Sequence, residues 1–597
     1  MWARDSGAIV LHGDATKQDT LSEAAADRAD ELFIVTGSDE CNIECVIEIR
    51  DLLNRSGRYW RFGWISFALA SPLKCYVHLL NRDLAMSVRD RTETLESHPK
   101  PAPVNGQNAS VKAEPQKLID VEVFNALERT TRRLLEDIAI LTVQPVTSKR
   151  QTEGSGIACH HPAMRPVTSN EVAHYVILGF GDFGQTLAHH LAEFSQFENG
   201  KRLRLTIADQ HIKRKSQPFL ARHPSFSQPF GTITNWEFDE DADKWAGTFA
   251  STTDDAAGPV LVSKGISHVC NAQYIEYVEA TDGKFLEGLN KSFSKEGVKP
   301  AILVCFEEDR KNFALGERLR AKLKTLGKNW PIFVWIPRQR ELSQLLSEQR
   351  GSVQVSNDLR TRNTSSSLPN CDLIPFGQCY GSVSYREVTA GWIDWLARLT
   401  HLVWLPKEDP CWTPEIGNFQ AALQSADAPK VVQNLAWEQL DKDGTAAWET
   451  SEEWSKASNR SAAIHSVVKA AALGLRITGM DHPSRRTNLQ QTERELQAVQ
   501  HLLDEKLASL EEKLLSMEHY RWVSERLING WRYDNQKPDN TAKTRWQITP
   551  WDDLDPTLHG VITKDGKPRN EKLKDKAIVD LLMVLLRSGK LRAECVS

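Results

Sequence analysis

Six consecutive residues, Gly179-Phe180-Gly181-Asp182-Phe183-Gly184, have the types and spacing with which a backbone can hold a diphosphate. Gly179 permits a tight turn, Gly181 lets an anion approach bare main chain, and Gly184 lets the next helix pack closely. That helix would add free N–H groups and a partial positive charge at its N-terminus. Asp209, at the end of the next apolar run, is placed to hold a ribose hydroxyl. It disfavours a 2′-phosphate, which puts NAD(H) ahead of NADP(H) as the expected cofactor, with ATP or an ADP-ribose-type nucleotide also open. Lys213, Arg214 and Lys215 could reach a phosphate or could form a solvated turn. A second group gathers rings and charges: Arg521, Trp522, Glu525, Arg526, Trp531, Arg532, Tyr533, Trp546 and Trp551. Indole faces can stack a base and arginine forks can take phosphate. The competing reading makes the tryptophans core and pairs Arg521 with Glu525 along a helix.

The elements needed to position the glycines are in order. Tyr175-Val176-Ile177-Leu178 reads as a strand, residues 186–193 as a helix, and residues 203–208 as a second strand before Asp209. The result is a strand, glycine turn, helix and strand ending in an acid. A glycine turn in a fold without ligand is the alternative.

No residues are expected to be catalytic. There is no Ser/Tyr-Lys pair, and His465 reads as a core or interface histidine. No metal site is expected either. The ten cysteines lack a CxxC pair, and Cys41 with Cys45, and Cys159-His160-His161, are the only local groupings. With a net charge of −5 over 597 residues, the chain presents no overall field for nucleic acid. The most apolar stretch, residues 63–80, contains Ser66, Ser71, Pro72 and Lys74, a poor membrane span. A cytoplasmic location is expected.

The length implies several domains. Ile9-Val10-Leu11-His12 reads as a strand and Thr20-Leu21-Ser22-Glu23 as a helix opened by a capping box. Residues 32–35 are a strand, 41–53 a helix and 75–80 a strand. This β-α-β-α-β order implies a parallel sheet, with no glycine-rich turn before it. Proline-rich residues 96–118 form a linker, followed by a strand at 120–124, a helix, and an irregular stretch at 144–170. An internal repeat organises the rest. Ile275-Glu276-Tyr277-Val278 parallels the stretch at Ile9. Residues 301–306 with Glu307, Glu308, Asp309 and Asn312 parallel Leu32 to Asn42, and 332–338 parallels 76–82. Leu373-Ile374-Pro375-Phe376-Gly377 echoes the strand at Val121. From about 385 the chain turns helical, and Leu496, Val499, Leu503, Leu507, Leu510, Leu514 and Met517 line one face of a long helix.

Val10-Leu11-His12-Gly13-Asp14-Ala15, Leu21, Ala24, Ala29-Asp30 and Ser38-Asp39-Glu40-Cys41-Asn42 resemble the latter half of a TrkA N-terminal domain. That family, also called RCK, implies a Rossmann fold, NAD(H) or ATP binding, and regulation of ion transport, with Asp14 near the adenosine. The second repeat departs from the family where Glu279-Ala280 replaces a Gly-Asp pair and where an insertion separates Gln210 from Gly265. Met517-Glu518-His519-Tyr520-Arg521-Trp522, Gly530-Trp531-Arg532-Tyr533, Asp539 and Ile548-Thr549-Pro550-Trp551-Asp552-Asp553-Leu554 resemble a ryanodine-receptor (RyR) domain, found in bacteria fused to TrkA-N modules. Asp534 and residues 557–569 depart from its pattern.

The expected fold class is α/β: two Rossmann-like (TrkA-N/RCK) modules, the first showing only its C-terminal half, and a mainly α-helical RyR-like domain. The expected layout is a half module at 1–95, linker at 96–170, second module with the glycine loop at 171–400, helical connector at 401–490 and RyR-like domain at 491–597. The expected cofactor residues are Gly179, Phe180, Gly181, Asp182, Phe183, Gly184 and Asp209. Those of a second ligand are Arg521, Trp522, Glu525, Trp531, Arg532, Tyr533 and Trp551. The expected role is a nucleotide-sensing regulator of ion (potassium) transport, a homo-oligomer through its Rossmann modules. It could be a channel or transporter subunit at the inner face of the membrane. An NAD(P)-dependent oxidoreductase and a nucleotide-signal effector in phage defence are the alternatives.

Overall fold

The computed structural model describes residues 9–56, 59–62, 65–68, 72–89, 118–134, 171–226, 233–239, 244–249, 266, 269–276, 283–328, 330–339, 341–343, 345, 373–377, 391–425, 427–480, 492–534, 539–554 and 572–595. Contacts divide the chain into two units, Met1–Arg129 and Thr130–Ser597. The expected linker falls largely outside the described residues, as do Cys159-His160-His161, Glu279-Ala280 and residues 557–569.

In the first unit, α1 (Gln18–Glu23), β1 (Glu31–Ile34) and α2 (Asp39–Ser56) precede a β2 (Tyr59–Phe62) and β3 (Ile65–Ala68) hairpin. Then come β4 (Leu73–His78), α3 (Arg82–Arg89), β5 (Ile119–Phe124) and α4 (Ala126–Arg133). The strands form a parallel sheet in the order β1-β4-β5. Its core joins Ile34, Cys75 and Val77 of the sheet to Cys45, Val46, Ile49 and Leu53 of α2. Two expectations fail here. Residues 9–12 are not a strand, and Ile9, Val10 and Leu11 are exposed. A strand exists by pairing, and this stretch has no ladder partner among the described residues. α1 begins at Gln18 with Lys17 as an N-cap that makes no side-chain bond, so Thr20 lies inside the first turn and caps nothing.

The second unit holds an eight-stranded sheet in the order β13-β12-β11-β6-β7-β10-β8-β9. Its strands are β6 (Val172–Leu178), β7 (Arg204–Asp209), β8 (Ile233–Asp239), β9 (Lys244–Phe249), β10 (Asn271–Glu276), β11 (Val298–Val304), β12 (Ile332–Trp335) and β13 (Leu373–Phe376). Apart from the antiparallel β8–β9 hairpin, every pairing is parallel. With the hairpin set aside and strands renumbered from β6, this is the 3-2-1-4-5-6 order of a dinucleotide-binding sheet. The expected insertion between Gln210 and Gly265 contains α6 (Ile212–Arg222) and that hairpin, which extends the sheet beyond β10. β6 and β12 are almost entirely buried, as parallel strands covered on both faces must be, and are correspondingly apolar.

α5 (Asp182–Phe194) follows β6, and α7 (Gly283–Phe293) and α8 (Asp309–Thr325) flank β11. Beyond the sheet lie α9 (Trp392–Trp404), α10 (Pro414–Leu423), α11 (Ala428–Gln433), α12 (Trp437–Thr450), α13 (Glu453–Ala472), α14 (Glu493–Ile528) and α15 (Lys572–Arg587). The expected leucine face and the expected start of the last domain belong to one continuous 36-residue helix, α14. A capping box starts it. Glu495 N–H donates to Thr492 Oγ1 at 3.3 Å, and Thr492 N–H donates to Glu495 Oε2 at 2.8 Å. β14 (Leu475–Met480) pairs antiparallel with β17 (Leu591–Cys595), tying the end of the chain to the end of α13. Both α13 and α14 pack on α5, which explains why α5 is buried around most of its circumference. The architecture is α/β with parallel sheets and a helical C-terminal part.

Candidate functional site

The glycine loop lies between the C-terminal ends of β6 and β11, where the strand order reverses. In open α/β sheets this crevice is where ligands bind. Gly179 has φ +98°, and a Cβ there would stand 2.9 Å from Phe306 N. A Cβ on Gly184 would stand 2.1 Å from the carbonyl oxygen of Gly179, so only glycine lets α5 lie this close to the loop. Both roles match those read from the spacing. Gly181 is different: a Cβ there would meet no backbone but the Oε1 of Glu307, at 3.0 Å.

α5 starts without a side-chain cap, leaving its first N–H groups without a side-chain acceptor at its N-terminus. Asp182 is exposed in the first turn. Phe180 and Phe183 point the other way. Phe180 is buried edge-on against Phe219 and Tyr274, and Phe183 stacks on Trp335 with centroids 4.2 Å apart. They contribute backbone to the loop and side chains to the core.

Asp209 is buried and accepts three bonds of 2.8 Å: from Phe180 N–H and Lys215 Nζ on Oδ2, and from His211 N–H on Oδ1. Burial pushes its carboxyl up, but Lys215 and the two N–H donors outweigh this and hold it below its ordinary value. Its visible work is to pin the glycine loop, and Oδ1 keeps more lone-pair capacity than one donor uses. Lys215 is thus the partner of Asp209, while Lys213 and Arg214 are exposed.

The opposite wall is set by a device that recurs in the first unit. Asp309 Oδ2 accepts from Arg338 N–H at 2.8 Å and Gln339 N–H at 2.7 Å, just as Asp39 accepts from Leu80 and Asn81, both at 2.8 Å. Asn312 accepts from Phe306 N–H and donates to Trp335 O, both at 2.8 Å. Asn42 accepts from Thr36 N–H at 2.6 Å and donates to His78 O at 2.7 Å. The two repeats thus close the same strand ends with the same side chains. In the second unit the device fixes the turn carrying Glu307, which sequence reasoning placed in the repeat but not at the loop. In the first unit Asp14 is exposed and accepts from Thr16 N–H at 2.9 Å and Thr16 Oγ1 at 2.8 Å.

The second expected group is divided by the fold. Arg521 and Glu525 are buried in an ionic network. Arg521 Nη2 meets Glu518 Oε1 at 2.7 Å and Nη1 meets Glu525 Oε2 at 3.3 Å. Arg521 Nη1 also donates to Ser461 Oγ at 2.9 Å, and Ser461 donates to Glu193 of α5 at 2.5 Å. Lys469 Nζ holds the other Glu518 oxygen at 2.5 Å. Burial pushes Glu518 up, but Arg521, Lys469 and His465 outweigh it and hold it at about 2. His465 is buried against this network, with Nε2 3.1 Å from Gln196 O. Trp551 is also buried, its Nε1 donating to Glu512 at 2.6 Å. The i,i+4 reading of Arg521 with Glu525 therefore describes the geometry, and neither residue nor Trp551 lies on an open face.

Trp522 and Trp531 do converge, and on a residue outside the expected set. The Arg526 guanidinium lies 5.4 Å from the Trp522 ring, 5.1 Å from Trp531 and 5.3 Å from Trp454 of α13. Arg545 lies 4.6 Å from Trp531. Arg532 is exposed and Tyr533 half-buried beside them.

Among the described residues, no helix is long and apolar enough to cross a membrane. Comparison with curated proteins gave no match. Comparison with protein families shows that residues 2–59, in the first unit, are similar to the TrkA-N domain.

Proposed function

We propose that this chain is a nucleotide-sensing regulatory protein that binds NAD(H), or a related nucleotide, at the loop from Gly179 to Gly184. The observation that carries this reading is the placement of the loop and the uncapped start of α5 at the strand-order reversal. The TrkA-N similarity at residues 2–59 supports a regulatory role and a link to potassium transport, with the chain acting in the cytoplasm as a homo-oligomer. The resemblance of residues 513–590 to a RyR domain supports a second ligand at the C-terminal domain. No catalytic step is assigned to any residue.

The test is thermal unfolding and calorimetric titration of the full chain with NADH, NADPH, ATP and ADP-ribose. Ligand at one hundred times its Kd adds about 2.7 kcal/mol of stability. Gly181→Ala should fold, since its methyl meets only the movable end of Glu307, yet it obstructs the phosphate path. Binding by wild type and its loss in Gly181→Ala is the expected pair. Absence of binding by all four nucleotides would remove the sensing role.

A further inference from the structure

We propose that the face formed by Trp454, Trp522, Arg526, Trp531 and Arg545 is a binding site for a phosphate-bearing anion. This rests on the reading that the C-terminal domain takes a second ligand, and it supplies that ligand's chemistry.

Three parts of the chain build the face. α13 contributes Trp454, α14 contributes Trp522 and Arg526, and the segment after α14 brings Trp531 and Arg545 together. Gly530, at φ +81°, turns the chain at the end of α14, and the β15 (Arg532–Tyr533) to β16 (Thr544–Arg545) pairing sets Arg545 beside Tyr533.

One arginine among indoles is explained by cation–π attraction alone. Two are not. Arg526 and Arg545 lie 5.1 Å and 4.6 Å from the Trp531 ring, and burial first, then the charge of Arg526, disfavours the charged form of Arg545. Glu525 pairs with Arg526 but is shared with Arg521, and Glu452 accepts from the Trp454 indole N–H at the rim. Glu525 Oε1 is 3.8 Å from Arg526 Nη1, while its Oε2 serves Arg521 at 3.3 Å and Ser458 at 2.7 Å. Arg545 bonds only to uncharged groups, the Thr544 carbonyl at 3.1 Å and the Asn540 side chain, among the described residues. Asp539 attracts Arg545 from a distance but spends Oδ1 on the N–H groups of Thr541 and Ala542.

The Arg526 side chain is nine-tenths buried, and its Nε has no hydrogen-bond partner among the described residues. A desolvated donor without an acceptor is costly to keep. A phosphate satisfies such a donor and cancels the repulsion of the pair, and guanidinium matches its geometry with paired bonds. Trp454 is 46% exposed at the rim, with indole surface left for a flat ring.

The experiment is isothermal titration of the full chain, in wild type and in Gly181→Ala, with inorganic pyrophosphate and with ADP. Pyrophosphate should bind both proteins, more weakly as salt is raised. Arg545→Gln, at a partly exposed position that should fold, is expected to weaken it about tenfold or more. Equal affinity for ADP and pyrophosphate assigns recognition to the phosphates, and tighter ADP binding adds a base stacked on the rim. Arg526→Lys keeps the charge but loses the fork, and should also weaken binding in folded protein. The proposal is overturned by no pyrophosphate binding up to about 1 mM, or by unchanged affinity in folded Arg545→Gln and Arg526→Lys. Loss of binding in Gly181→Ala alone also overturns it, while leaving the glycine-loop reading in place.

Discussion

Glu307→Gln tests a charge that the fold sets beside the phosphate path. A phosphate seated on the backbone beside Gly181 would come within about 4 Å of the Glu307 carboxylate, which already lies 3.0 Å from where a Gly181 Cβ would be. Two unit charges at that distance repel by about 1 kcal/mol in water and about 4 kcal/mol at the effective dielectric of a protein surface. Glu307 is exposed, so the lower figure governs. Glutamine keeps the shape and removes the charge, and should tighten NADH binding about fivefold. The gain should shrink as salt rises, because the screening length falls from about 10 Å at 0.1 M to about 3 Å at 1 M. Calorimetric Kd values for wild type and Glu307→Gln at low and high salt are the measurement. Unchanged affinity would refute the electrostatic argument. Weaker affinity would refute it too, showing that the carboxylate accepts a bond from the ligand.

Three further outcomes follow from the packing. Gly184→Ala puts a methyl 2.1 Å from the Gly179 carbonyl oxygen, a backbone atom that cannot turn aside. It should destabilise by about 1–3 kcal/mol and abolish nucleotide binding, and an unchanged urea midpoint would contradict the loop geometry. Arg521→Met strips both Glu518 and Glu525 of a buried partner and should cost about 3–5 kcal/mol in urea unfolding. A loss within the scatter of surface substitutions would mean that the network is open to water. Glu518 has a folded pKa of about 2, below its ordinary value of 4.5, so its contribution is full above pH 4.5 and fades as pH falls toward 2. The stability gap between wild type and Glu518→Gln should narrow over that window, and a gap constant with pH would rule the linkage out.

Much of the second unit was legible because its signals are local. Gly184 is required by the backbone of Gly179, five positions away, Gly179 by its own positive φ, and β6 shows itself as an apolar run. The repeat was legible through Asp39 with Asn42 and Asp309 with Asn312, because each pair bonds to the nearby ends of adjacent strands. The stretch at Ile9 misled, since a short apolar run promises a strand only where a partner strand exists. Glu307 at the loop was not legible: 126 positions separate it from Gly181, and only the β6–β11 pairing brings them together.

The sequence by itself determined the glycine loop, the α/β order of the elements and the long helix, all written in spacings of a few residues. It also singled out Arg521 as a ligand residue and left Arg526 in the surrounding group of charges. Tertiary structure decided their surroundings. They lie five positions apart on α14, so they face different neighbours: Arg521 meets Ser461 and, through it, Glu193, while Arg526 meets Trp454 and Trp531. Whether an arginine becomes a buried strut or a ligand contact depends on what packs against its side of the helix, and those partners come from distant parts of the chain.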